Sequence, residues 1–292
     1  MYFLLYGLLF LFSLLPMRVL YFISDGCYVL IFYVFKYRKK VVLDNLRQAF
    51  PEKTEPERIR IAKKFYKNLV DSFIETIKLF STGKKFMQKH ITADYSVFDY
   101  LHRQEKTCQM HAAHQFNWEW INHHMSMHVP QPMVGVYMPL SNKTFERIFL
   151  KLRQRYGTIM LPATEMKNRF AGWRNREHIL ILVADQNPGH PGNSYWFNFF
   201  GKPAPFIKGP ERYAREKKIP VVFGRSKKLK RGYYQLEFKL VTEDASQLPE
   251  PELTRMFVQY LSEIFYTQPE NWLWSHRRWK WDWKEEYGAV VE

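Results

Sequence analysis

Between residues 107 and 267 the chain alternates short apolar runs with longer amphipathic ones, and this rhythm limits its fold more than any other feature. Residues 107–112, 133–138, 159–162 and 178–184 are too short for stable helices, and the last three are rich in large apolar side chains, so all four read as strands. Residues 117–127, 143–156 and 165–175 fall between them with helical spacing, the second stopping at Gly157. A helix over 208–217, strands over 221–225 and 233–241, and a helix over 251–267 entered through Pro249 and Pro251 complete the pattern. Strands that alternate with helices are buried on both faces, which specifies an α/β fold with a mixed, mostly parallel sheet flanked by helices. Upstream, residues 41–50 and 54–80 read as amphipathic helices. Thr54 and Glu57 have the spacing of a capping box at the start of the second.

The first 35 residues have a different texture. Residues 2–17 carry no formal charge, and residues 19–35 carry only Asp25. Pro16 and Arg18 part the two runs, each slightly short of the roughly 20 residues that cross a bilayer core. The expectation is one short or tilted membrane helix, followed by a second segment that lies at the interface or packs on the domain. The start has no basic side chain and no small-residue cleavage site comes after it, which argues against a signal peptide. Lys36, Arg38, Lys39 and Lys40 come next, and the positive-inside tendency puts the remainder of the chain in the cytoplasm. Two units are therefore expected: residues 1–35 as a membrane anchor and residues 36–292 as a cytoplasmic domain.

Lysine and arginine outnumber aspartate and glutamate by 44 to 28, a net charge of +16 that calls for an acidic partner. Nucleic acid, an anionic membrane or an acidic carrier protein would each serve, and the greasy terminus favours the membrane. The densest basic run, Arg225 to Arg231, reads as a hairpin tip able to attract anionic headgroups or a carrier protein. Tryptophans from Trp272 to Trp283 alternate with Arg277, Arg278, Lys280 and Lys284, a pattern suited to a membrane interface or to packing inside the domain. Cys27 and Cys108 are too few for a disulfide framework or a zinc cluster.

The stretch from His114 to Glu119 lies where a strand ends and a helix begins, the usual place for ligands in open α/β sheets. Residues five apart on a regular helix diverge by about 140°. His114 must therefore sit in the turn and Glu119 on the first helical turn, with Asn117 as N-cap, if carboxylate and imidazole are to meet. Such a pair suits acyl transfer to an alcohol. The imidazole takes the hydroxyl proton as oxygen attacks a thioester carbonyl, and the carboxylate fixes the tautomer and stabilises the imidazolium.

The His-x4-Glu block resembles the signature of the lysophospholipid acyltransferase superfamily. Its wider form, HQFNWEW, is similar to the H-x-G-N-W-E of the lipid A biosynthesis (lauroyl/myristoyl) acyltransferases. Further blocks resemble that family in order along some 240 residues: Arg38 to Val42 with Asn45, Leu46 and Phe50-Pro51-Glu52; Val136-Tyr137-Met138-Pro139; Ala184-Asp185-Gln186; Phe199-Phe200-Gly201-Lys202-Pro203; and Gln268 to Trp274 with His276-Arg277-Arg278-Trp279. The resemblance implies a glycerol-3-phosphate-acyltransferase-like fold at the inner membrane. It also implies an acyl–acyl carrier protein donor and a lipid A precursor as acceptor, giving an acyloxyacyl product.

Under the same resemblance His114 is the base and Glu119 its partner. Asn117, Tyr137, Asp185, Gln186, Phe200, Gly201 and Lys202 bind or line the substrate, although Asp185 reads almost as readily as a strand-end cap. Two positions depart from the family pattern, Phe116 in place of glycine and Met138 in place of arginine, and they bear on the acceptor rather than the reaction. Another glycolipid, phospholipid or aminolipid acceptor, or an acyl-CoA donor, stays open. No cofactor, metal or nucleic acid is expected. His111, His114, His123, His124 and His128 cluster in sequence, but no HExxH occurs, and no G-x-S-x-G suggests a serine hydrolase.

Overall fold

A computed structural model describes residues 1–291, apart from the side chain of Lys167. The helices are α1 (Tyr2–Ser13), α2 (Met17–Val29), α3 (Lys39–Ala49), α4 (Glu55–Lys78), α5 (Lys84–His90), α6 (Ser96–Arg103), α7 (Trp118–Ser126), α8 (Lys143–Arg153), α9 (Met166–Arg169), α10 (Gly209–Lys217) and α11 (Glu252–Thr267). The strands are β1 (Ile91–Ala93), β2 (Cys108–Ala112), β3 (Met133–Tyr137), β4 (Ile159–Pro162), β5 (Ile179–Val183), β6 (Ser194–Phe199), β7 (Lys202–Ile207), β8 (Val221–Lys230), β9 (Tyr233–Thr242) and β10 (Val290–Val291).

Seven strands form the main sheet in the order β1-β9-β8-β2-β5-β3-β4, parallel throughout except for the β8–β9 hairpin. This is the mixed, mostly parallel α/β architecture that the alternating runs specify. The chain leaves β2 toward β3 on one side and leaves β5 toward β8 on the other. That reversal makes the carboxyl ends of β2 and β5 a topological switch point, where such sheets hold ligands.

Thr54 and Glu57 form the expected capping box, with the Thr54 N–H donating to Glu57 Oε2 at 2.8 Å. Two readings need correction. Residues 165–175 are not one helix but a short α9 between two 3₁₀ turns. The basic run is not a hairpin tip. Arg225 to Lys230 lie in β8, where Arg225 and Lys227 pair across the strands with Glu237, and the turn falls at Arg231 and Gly232. Gly232 adopts a φ of 75°, and any Cβ there would collide with the Tyr21 hydroxyl. Finally, β6, β7, β10, β1, α5 and α6 were not legible. The β6–β7 hairpin closes through Phe200 and Gly201, both at positive φ, in a two-residue turn whose twist suits paired strands.

At the N-terminus, α2 runs on into a π-helical turn (Leu30–Val34). Met17–Val34 is the one helix among the described residues long and apolar enough to cross a membrane. Phe3 and Leu4 on α1 are exposed, as are Phe22 on α2 and Phe35 just beyond the turn. The other side of α2 rests on α4: Leu20 packs with Val70 and Ile74, and Ser24 donates to Asp71. Lys78 Nζ on α4 donates to the Ser13 and Leu15 carbonyls, tying down the link between α1 and α2.

Candidate active site

His114 lies two residues beyond β2, and Asp185 two beyond β5. Because the strands are parallel with Ala112 level with Val183, the register carries these two side chains past the sheet edge side by side. His114 Nδ1 is 2.7 Å from Asp185 Oδ1, and the His114 backbone N–H donates to Oδ2 at 3.0 Å. Trp272 Nε1 donates to Oδ2 as well. Burial works against an ionised Asp185, but attraction from His114 and the hydrogen bonds from His114 and Trp272 prevail, holding the carboxyl below its usual range. An ionised Asp185 fixes the proton of a neutral imidazole on Nδ1 and leaves Nε2 as the basic atom. The His114 side chain is 27% exposed, and Nε2 makes no hydrogen bond among the described residues.

Glu119 does not brace the imidazole. Its carboxylate is buried and pairs with Arg153, whose Nε lies 3.0 Å from both oxygens, and it also accepts from Trp118 Nε1 at 3.1 Å. The expected His114–Glu119 contact is thus replaced by one to Asp185. Once Asn117 caps α7, Glu119 points toward α8, where a guanidinium waits at the end of that helix. Glu119 still borders the site through Trp118, whose ring meets the His114 ring edge-on at 5.8 Å.

The closing segment holds this arrangement from behind. The Leu273 N–H donates to the His114 carbonyl, the Phe116 N–H to the Asn271 carbonyl, and Gln115 bridges Trp272. Asn45 Nδ2 in turn donates to the Trp274 and His276 carbonyls at 2.8 and 2.6 Å, and Arg38 donates to the Ser275 carbonyl. The N-terminal and C-terminal sequence blocks are therefore one clamp behind Asp185. Trp272 and Trp274 belong to the core, and Arg278 is fully buried over Phe206.

The other expected site residues fall in several places. Asn117 is fully buried: its Oδ1 caps α7 and its Nδ2 donates to Glu75 at 2.9 Å. Tyr137 ends β3, level with Pro162 on β4, and its hydroxyl lies 3.5 Å from Glu146. Gln186 is next to Asp185 and half-buried. Phe200 packs on Phe50, Phe265 and Tyr266, and its carbonyl accepts from Gln48; Gly201 is exposed in the turn; Lys202 pairs with Asp282 at 3.3 Å. Phe116 points into the core against Phe65, whereas Met138 is exposed. Among the described residues no group of three or more His, Cys, Asp or Glu could hold a metal ion. Trp272 and Arg153 are the partners that spacing could not reveal, since each meets its carboxylate across 34 residues or more.

An imidazole held by a buried carboxylate, with its outer ring nitrogen open, has the chemistry needed to take a proton from a hydroxyl or water. Residues 1–281 match the bacterial lipid A biosynthesis acyltransferase family, and the chain belongs to it. It is an acyltransferase, and the family implies an acyl donor and a lipid acceptor. No curated protein matches the chain.

Proposed function

We propose that this enzyme transfers a fatty acyl group from an acyl carrier protein thioester to a hydroxyl of a lipid A precursor, with His114 as general base and Asp185 as its orienting carboxylate. The observation that carries this reading is the 2.7 Å contact from His114 Nδ1 to a buried Asp185, with Nε2 left open. Nε2 takes the acceptor proton as the alkoxide oxygen attacks the thioester carbonyl. When the tetrahedral intermediate collapses, the carbon–sulfur bond breaks and the imidazolium returns the proton to the thiolate. Ester and thiol are the products, and no side chain is acylated.

Glu119, tied to Arg153, takes the role of a positioning residue: it holds Trp118 against the imidazole. Tyr137 and Gln186 lie at the same sheet edge and suit contacts to the acceptor. The exposed apolar side chains of residues 1–35 support membrane association, with the basic residues after them favouring a cytoplasmic catalytic domain.

His114→Ala should abolish transfer from a purified acyl–acyl carrier protein while leaving the melting transition in place. Near wild-type turnover would refute the base assignment. Mass spectrometry of lipid A and polar lipids from cells with and without the chain identifies the acceptor and the acyl length together. Parallel assays with acyl-CoA separate the two donor classes.

A further inference from the structure

A second concave site lies outside the His114–Asp185 couple, and we infer that it binds the phosphate group of an anionic lipid headgroup. It is a cavity of about 300 Å³ between α4, the end of β8 and the closing segment. That is the lower end of the range for small-molecule sites, ~300–1,000 Å³. Its walls carry Lys64, Lys67, Lys228, Lys230 and Arg231 against two carboxylates, Asp71 and Glu270. Asp25 just outside still leaves a surplus of two positive charges.

The carboxylates do not cancel the site, because the inner one is already engaged. Asp71 is almost fully buried and accepts from Arg231 and Ser24, with Lys228 Nζ at 3.4 Å. Lys228 itself is mostly buried and donates to Asn68 Oδ1 at 2.8 Å, so the floor is a fixed cationic frame rather than a set of loose side chains. Lys64 and Lys230 form no ion pair among the described residues, and Lys67 has only a 3.5 Å contact to Asp25. Three cations thus face a cavity without a full complement of anions. A phosphate, with several acceptor oxygens and a double charge, fits that need.

The position of the cavity indicates a lipid rather than a soluble phosphate. Arg231 donates to the Tyr21 carbonyl and pairs with Asp25, both on α2, and Lys67 lies over the Tyr28 ring. The same α2 exposes Phe22 and Val29, so apolar surface for acyl chains adjoins the cationic wall. The ligand's lipid nature rests on the proposed membrane association, whereas phosphate recognition does not, and neither depends on His114.

The test uses the full chain in neutral detergent micelles, which removes the membrane from the comparison. The probes are short-chain phosphatidic acid, diacylglycerol of equal chain length, and inorganic phosphate. Wild-type protein should bind phosphatidic acid about tenfold or more tightly than diacylglycerol, and Lys64→Gln/Lys67→Gln/Lys230→Gln should lose that preference. The three lysines sit at the rim, so an unchanged melting transition is expected; if the triple variant fails to fold, Lys64→Gln alone must weaken the preference. A wild-type chain without preference, or a folded variant that keeps it, overturns the proposal. Inorganic phosphate binding as tightly as the lipid overturns the lipid assignment. So does a variant that keeps lipid preference but loses affinity for the acyl carrier protein. Flotation with neutral vesicles tests membrane association separately.

Discussion

Asp185→Asn changes one atom, and the geometry fixes what that atom does. Asp185 accepts three N–H groups, two on Oδ2 and one on Oδ1. An asparagine has one acceptor oxygen and one NH₂ group. With its oxygen kept on the His114 backbone and Trp272, its NH₂ faces His114 Nδ1, which must then accept and shift the ring proton to Nε2. A protonated Nε2 cannot take a proton from the acceptor hydroxyl. Loss of the general base costs about 10²–10⁴ in rate, and the analogous change in serine proteases costs about 10⁴ through the same tautomer error. We therefore expect turnover to fall by about 10³–10⁴, equivalent to roughly 4–5.5 kcal/mol of transition-state stabilisation. Stability should fall by only about 1–3 kcal/mol, because relief of a buried charge offsets the weakened bonds. Initial rates of acyl transfer with purified full-length protein, beside a melting curve, measure both quantities. Glu119→Gln is the control: it loosens the Arg153 pair but leaves the tautomer alone, so its turnover should fall much less. If Asp185→Asn stays within tenfold of wild type while Glu119→Gln loses a thousandfold, Glu119 is the working partner of the imidazole and Asp185 is not.

Two further outcomes are expected. Burial pushes His111 down to about 3 and His123, His124 and His276 down to about 4, so all four stay neutral in the fold and take up protons when it opens. The unfolded chain binds more protons between about pH 4 and 6.5, so stability must fall as pH drops through that window, by up to about 1.4 kcal/mol per pH unit for each imidazole; urea midpoints unchanged from pH 7 to 5 would contradict this. Asn45→Ala removes the side-chain NH₂ that donates to the Trp274 and His276 carbonyls of the closing segment, at a cost of about 1–3 kcal/mol. Because that segment carries Trp272, kcat should drop several-fold with KM little changed, and a variant with normal kcat would uncouple the clamp from Asp185.

The sequence blocks that resemble the family are spread from Arg38 to Trp279, and the structure links the first, the His114 block, the Asp185 block and the last around one carboxylate. Arg38 and Asn45 hold the carbonyls of residues 274–276, Trp272 donates to Asp185, and Asp185 holds His114. None of these links is local, so no spacing rule could have revealed them. The basic run read as a hairpin tip for a similar reason. Its charges alternate with inward-facing Ser226 and Lys228, and only the Glu237 pairs on β9 and the inward polar contacts explain why so charged a segment is a strand.

Local periodicity was enough for most of the alternating elements, the α/β class, the apolar terminus and the place of His114 at a strand end. These arise from interactions within a few residues, which a linear pattern records. Strand order and packing settle which carboxylate reaches the imidazole. Glu119 is five residues from His114 and Asp185 is seventy-one, yet sheet order puts β5 beside β2 while the cap on α7 turns Glu119 toward Arg153. Charge pairing is set by distance in space, and in a parallel sheet that distance depends on strand order, which no single stretch of the chain encodes.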